Sequence, residues 1–290
     1  MSQVESIDID EWDGPIDEET KRRAIAALEQ GQVLYFPNLD FPLKESEHCF
    51  LNPSLLHAKA KNISYNSASD MLNGSTCTDT TDLKAMVRRY SMCSRGFLEH
   101  LLPEYTKSLA FGKTSFRPIE IEGRKTSYRK DDTRLHVDAF PSNPTRGVRI
   151  LRVFTNINKA GKPRVWRLGE PLPDIFAKFL PSISSPWWGM PSLLKWLGIT
   201  KDYRSTYDHY MLGVHDAMKG NSEYQKTCPQ EEFAFNPGCT WVVFTDQVAH
   251  AAMSGQHVLE QTFHVPMEAL KFPELAPSRQ MEKILRAPVL

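Results

Sequence analysis

The chain has 290 residues, long enough to bury a substantial core as one large domain or two small ones. Its 35 Lys and Arg balance 35 Asp and Glu, so it lacks the global basic footprint of a nucleic-acid binder. Five cysteines without a CxxC pair argue against a disulfide framework or a structural zinc knuckle and fit a reducing compartment.

The first residues, MSQVESIDIDEWDGPIDEE, are acidic and lack the basic start and apolar run of a secretory signal. No stretch reaches the roughly 20 apolar residues needed to span a bilayer. A cytoplasmic location is expected. Residues 18 to 30 (EETKRRAIAALEQ) then predict a helix with an acidic first turn and Gly31 as its stop. Val33 to Phe36 predict a short strand ended by Pro37.

Between Asn62 and Asp82 the run is rich in Ser, Thr, Asn and Asp, too polar to bury much apolar area, and reads as a loop. It fits a mobile lid over a site and equally a solvated connection. A helix follows through Leu83 to Leu102, then a strand-like Ser115-Phe116-Arg117-Pro118. Arg146 to Ile157 (RGVRILRVFTNI) reads as a strand, with Arg164 to Leu168 expected to pair with it across Asn158 to Pro163. Helices are expected near Pro173 to Leu180 and from Ser205 to Met218, and strands at Thr240 to Thr245 and Glu260 to Val265. Scattered strands with long excursions and 20 prolines predict a mainly antiparallel β core with flanking α-helices, not βαβ alternation. No repeat or internal boundary is evident, so one domain over residues 1–290 is expected.

His136-Val137-Asp138 and the distant His250 supply two imidazoles and a carboxylate, the ligand set of a facial triad that holds iron on one side and leaves the other open. In an extended segment residues i and i+2 share a face, so His136 and Asp138 can grip one ion while Val137 turns away. His250 lies just beyond the strand launched by Asn236-Pro237-Gly238, so both ligand groups are expected at strand ends. His257 and His264 are rivals for the third place, and Asp246 is expected either to orient His250 or to cap a turn. His209 and His215-Asp216 also carry the residue types of an HD-type hydrolase. A polar helix face or a substrate contact accounts for them without the further His and Asp ligands such a site needs.

The two ligand segments together resemble the jelly-roll dioxygenases that use Fe(II) and 2-oxoglutarate. In the longer phrase RKDDTRLHVDAFPSNPTRGVRILRVFTNIN the chain resembles the Kdo 3-hydroxylase family, the likeness running over most of its length. The resemblance implies a double-stranded β-helix (jelly-roll) core. It also implies His136, Asp138 and His250 as metal ligands, Fe(II), 2-oxoglutarate and O2 as cofactors, and hydroxylation of carbon 3 of Kdo in Kdo-lipid A with release of succinate and CO2. Two rivals remain open: an oxygenase of the same superfamily with another substrate, and a non-catalytic jelly-roll module that binds acidic sugars.

Many members of that superfamily hold the far carboxylate of 2-oxoglutarate with an Arg or Lys about ten residues after the distal histidine. Here the stretch His257 to Phe263 has no cation. Arg152, on the face shared by Ile150 and Phe154, is the expected replacement, because a guanidinium buried there needs a carboxylate. Arg149 serves if the register is shifted by one. Arg117 and Trp166, the latter between Arg164 and Arg167, are further candidates for the same pocket. Arg124, Lys125, Arg129, Lys130 and Arg134 form a basic cluster open to a sugar or phosphate role or to plain solvation. Three of six tryptophans crowd Pro186 to Gly198 (Trp187, Trp188, Trp196), which fits peripheral contact with the inner membrane, a partner subunit in a homo-oligomer, or the core.

Overall fold

A computed structural model describes residues 3–123, 126–186 and 203–290. Arg124, Lys125, Trp187, Trp188 and Trp196 fall outside the described residues. None of the helices in the described parts is long and apolar enough to cross a membrane.

Two sheets form a jelly-roll sandwich. The larger runs β1 (Val4–Ser6), β2 (Val33–Phe36), β9 (Thr240–Phe244), β6 (Arg149–Asn156), β11 (Val258–Val265), β5 (Ala110–Arg117), β3 (Ile63–Asn66) and β4 (Met71–Asn73). All its pairings are antiparallel except β1 with β2. The smaller sheet orders β10 (His250–Ser254), β7 (Arg164–Gly169) and β8 (Gln230–Phe235).

Helices close the outer face of the large sheet. α1 (Glu18–Glu29) starts at Asp17, whose carboxylate accepts from the amides of Glu19 and Thr20, and it ends before Gly31 at φ 87°. α2 (Thr81–Leu101) lays a buried stripe from Leu83 through Tyr90 to Leu101 against the strands. Tyr90 Oη donates to the carbonyl of Val153 at 3.1 Å. Outside the small sheet, α3 (Leu172–Phe179), α4 (Thr206–Gly220) and α6 (Pro277–Leu285) share an apolar cluster with Ala249, Ala251 and Val137. A short α5 (Ser222–Thr227) joins α4 to β8.

Between the sheets, one end is filled by aromatic rings. Trp241 stacks on Phe235 at 4.1 Å and on Phe154 at 5.1 Å, with the edge of Trp166 against it. The other end is open and forms a cavity of about 750 Å³.

Three expectations are corrected. The polar stretch from Asn62 to Asp82 is not simply a loop: it contains the β3–β4 hairpin, whose Ile63 and Tyr65 are buried against α2 while Ser64 and Asn66 alternate to the other face. β7 does not pair with β6. β6 lies between β9 and β11, and the chain crosses after Asn156 to the small sheet, where β7 pairs with β8 and β10. His136 is not in a strand but in a single bridge to His250.

Arg149 faces away from Arg152. It is fully buried, donates to Asp246 Oδ2 at 2.7 Å and to Gln247 Oε1 at 2.6 Å, and lies 3.9 Å above the Phe244 ring. Removing one partner leaves the other charge buried and unpaired. Arg149→Ala should therefore lower the unfolding free energy by roughly 3–5 kcal/mol in urea titrations. A loss below about 1 kcal/mol would show the pair to be dispensable.

Candidate metal centre and its charged cavity

The loop carrying His136 and Asp138 is tied down on both sides. Gln225 accepts from the Leu135 amide at 2.8 Å and donates to the Leu135 carbonyl at 3.0 Å. The His136 amide donates to the His250 carbonyl at 3.1 Å, the His250 amide returns to His136 at 2.9 Å, and the Asp138 amide donates to Thr245 at 2.7 Å. These bonds place His136, Asp138 and His250 so that their ligand atoms all lie within 4.8 Å of one another. Val137 is buried in the helical cluster, on the opposite side.

Each imidazole sets its Nδ1 against a carbonyl, that of Arg134 at 2.8 Å for His136 and that of Val248 at 2.9 Å for His250. A carbonyl only accepts, so Nδ1 carries the proton and Nε2 presents its lone pair. Burial lowers the pKa of both rings, for His136 with His250 adding to the effect, and favours the neutral form that binds metals. Burial alone would raise the Asp138 carboxyl, but the Arg152 guanidinium carries it below the ordinary carboxylate range. Two neutral imidazoles and a carboxylate are the donor set of a non-haem iron centre.

The cavity wall beside this trio is strongly charged. Arg152 reaches Asp138 Oδ2 at 2.7 Å and Glu260 Oε1 at 2.7 Å, while Arg117 holds Glu260 Oε2 at 2.6 Å. Burial would raise Glu260, and the two guanidiniums outweigh it. Arg164, also buried on the cavity wall, has no carboxylate within ion-pair distance among the described residues; its Nη1 donates to the Gly255 carbonyl at 2.8 Å. Burial, with Arg117 nearby, lowers its pKa to about 9. The Trp166 ring stacks on His250 at 5.0 Å. Among the described residues no acceptor meets the buried donors Arg152 Nε, Arg164 Nε and Trp166 Nε1, all on residues lining the cavity. Donors left so are costly unless a ligand meets them.

Thus Arg152, Arg117 and Trp166 share one cavity with the triad. Arg164 lines the same cavity without having been a sequence candidate for it, although it stands two positions before Trp166 on β7 and so on the same face. Asp246 does not orient His250, because it is committed to Arg149. His257 sits in the β10–β11 turn at φ 58° against Phe116, and His264 lines the cavity outside the triad. His215 hydrogen-bonds Asp216 at 3.0 Å and sets its ring edge-on to His136 at 5.4 Å, which limits how that imidazole can turn. His209 faces the Ser184 carbonyl, and no HD-type cluster forms among the described residues. Arg129 pairs with Asp216 and Arg134 donates to the Lys219 carbonyl; neither lines the cavity.

A jelly-roll sandwich with this donor set and a wall of guanidiniums defines the class of the Fe(II)- and 2-oxoglutarate-dependent dioxygenases. The family model described as 3-deoxy-D-manno-oct-2-ulosonic acid (Kdo) hydroxylase matches residues 11–288, and the chain belongs to that family. Among solved structures, the apo form of the Kdo hydroxylase KdoO is 49% identical over 99% of this chain and 97% of its own, with a TM-score of 0.95. The cobalt(II) complex of KdoO matches at 49% identity over the same shares with a TM-score of 0.96, and the complex with alphaketoglutarate and Fe(III) at 49% and 0.95. No curated protein sequence matches the chain.

If the triad is the metal centre, His136→Ala and His250→Ala should each weaken Co(II) binding by at least about tenfold in a spectroscopic titration while the far-UV spectrum is kept. Binding as tight as in the wild type would place the metal elsewhere.

Proposed function

We propose that this chain hydroxylates carbon 3 of Kdo in Kdo-lipid A, with Fe(II) held by His136, Asp138 and His250 and with 2-oxoglutarate and O2 consumed to give succinate and CO2. The protein is an Fe(II)- and 2-oxoglutarate-dependent dioxygenase of the Kdo hydroxylase family. The observation that carries the assignment of the site is the set of three acceptor-less buried donors, on Arg152, Arg164 and Trp166, beside the triad.

Iron and 2-oxoglutarate, when bound, supply the oxidising power that the protein's own side chains lack. The chain supplies placement. His136, Asp138 and His250 would hold the metal and leave the cavity beside them for co-substrate and sugar. Arg164 would take the far carboxylate of 2-oxoglutarate, since among the described residues it is the buried guanidinium of the cavity wall with no acid within ion-pair distance, and Trp166 would direct its indole N–H to the same group. Arg152 is already bound to Asp138 and Glu260, so it positions the carboxylate ligand and turns its remaining Nε–H to the co-substrate. Glu260, gripped from both sides, fixes Arg117 and Arg152 in these directions. The aromatic plug behind Phe154 and Trp166 keeps water from that end of the site. A lipid-linked substrate would be met at the cytoplasmic face of the inner membrane, where Trp187, Trp188 and Trp196 are candidate contacts.

Incubation of Kdo-lipid A with enzyme, Fe(II) and 2-oxoglutarate should add one oxygen atom to the sugar by mass spectrometry, with succinate formed in step. Succinate without sugar oxidation would point to another substrate. Arg164→Ala should raise KM for 2-oxoglutarate by roughly 10- to 100-fold with Co(II) affinity kept. An unchanged KM would move the anchor to Arg152 or Arg117.

A further inference from the structure

Among the described residues, five cationic side chains line the cavity against three carboxylates. Lys61 is taken by Asp132 at 2.8 Å, and Arg117 and Arg152 by Glu260 and Asp138. Arg164 and Lys113 remain without a carboxylate among the described residues. A divalent cation and a dianionic co-substrate cancel each other, so their arrival leaves the excess of two positive charges in place. With Arg164 committed to the co-substrate, the cation open to a further anion is Lys113.

Its position is built by the backbone. Along the β5–β11 ladder Gln261 pairs with Thr114 but Phe263 with Phe111, so Gly112 and Lys113 together stand opposite Thr262. This bulge has a close contact: a Cβ on Gly112 would lie 3.0 Å from the Thr262 side chain. Phe111 packs toward the helical face against Phe263, while Lys113 joins Ser115 and Arg117 on the cavity wall. Lys113 is exposed at the mouth, two strand positions or about 7 Å beyond Ser115. From there the cavity continues as a groove of about 410 Å³ along the β3–β4 hairpin, lined by Asn62, Ser64, Asn66 and Asn73 as well as Lys61 and Lys113. Amides and hydroxyls around a single unpaired ammonium suit a polyhydroxylated acid.

Resting on the substrate class given above, we propose that Lys113 is the specificity-determining residue that binds the carboxylate of the acidic sugar, with the hairpin groove meeting its hydroxyls. Arg164 and Lys113 thus divide two carboxylic acids between the inner and outer ends of one cavity.

The test compares Kdo-lipid A with its Kdo methyl ester in mixed micelles, on wild type, Lys113→Gln and Lys113→Arg. Both KM and the Kd of the Co(II)- and 2-oxoglutarate-loaded protein are measured. Lys113→Gln should weaken binding of the acid about 10- to 100-fold, with Co(II) and 2-oxoglutarate affinities as in the wild type, and Lys113→Arg should restore most of it. The ester should bind the wild type as weakly as the acid binds Lys113→Gln, and that variant should no longer distinguish the two. Equal affinity of Lys113→Gln and wild type for the acid would overturn the proposal. So would acid-over-ester discrimination persisting in the variant, which would put the carboxylate on another cation. Weakening of acid and ester alike by Lys113→Gln would assign the lysine to a lipid A phosphate and also overturn it. If the wild type binds Kdo-lipid A no better than lipid A, the substrate reading itself fails, and this inference with it.

Discussion

Two backbone hydrogen bonds between His136 and His250, at 3.1 and 2.9 Å, are the constraint on which the site depends. They join a loop to the first residue of β10 and bring two imidazoles from distant parts of the chain to 4.7 Å between ring centres. Everything nearby stiffens that bridge. Gln225 clamps Leu135, Thr245 receives the Asp138 amide, and Val137 is sunk in the cluster of α3 and α4. Two imidazoles and a carboxylate are thereby presented by backbone already fixed, so a metal bound there would not spend its binding free energy on ordering the chain.

Charge is the second organising element. Burying a guanidinium is costly without a counter-charge, and the cavity buries several. Glu260 satisfies two of them at once, and Asp138 serves Arg152 from its own position in the triad. The pattern sorts the cations by partner. Arg117 and Arg152 are scaffolding with a remaining donor or two, whereas Arg164 is kept short of an acid and its lowered pKa records the cost. That shortage is what supports the proposal of a dicarboxylate at Arg164.

Much of this was legible in the sequence because it depended on local periodicity. The i, i+2 spacing of His136 and Asp138, the apolar runs of β6 and β9, and the start and stop of α1 each report the environment of single side chains. Pairing was not legible in the same way. That β7 leaves β6 for the small sheet is decided by the crossing of a sandwich, not by residues 158–163. The β3–β4 hairpin was hidden because Ser64 and Asn66 turn to a polar groove, leaving only Ile63 and Tyr65 to show its buried face. Asp246 was open to orienting His250 or to capping a turn, and the register sends it to Arg149. The bulge at Gly112 and Lys113 is a property of two paired strands and has no one-strand signature.

On the proposed function, one cavity holds a metal on the triad and a dicarboxylate between that metal and Arg164. Anomalous diffraction at the cobalt edge from crystals grown with Co(II) and 2-oxoglutarate tests it directly. A single peak among His136 Nε2, Asp138 and His250 Nε2, with the far carboxylate of 2-oxoglutarate on the Arg164 guanidinium, is the predicted result. A peak outside the triad, or a carboxylate seated on Lys113 with Arg164 unmet, would contradict the account.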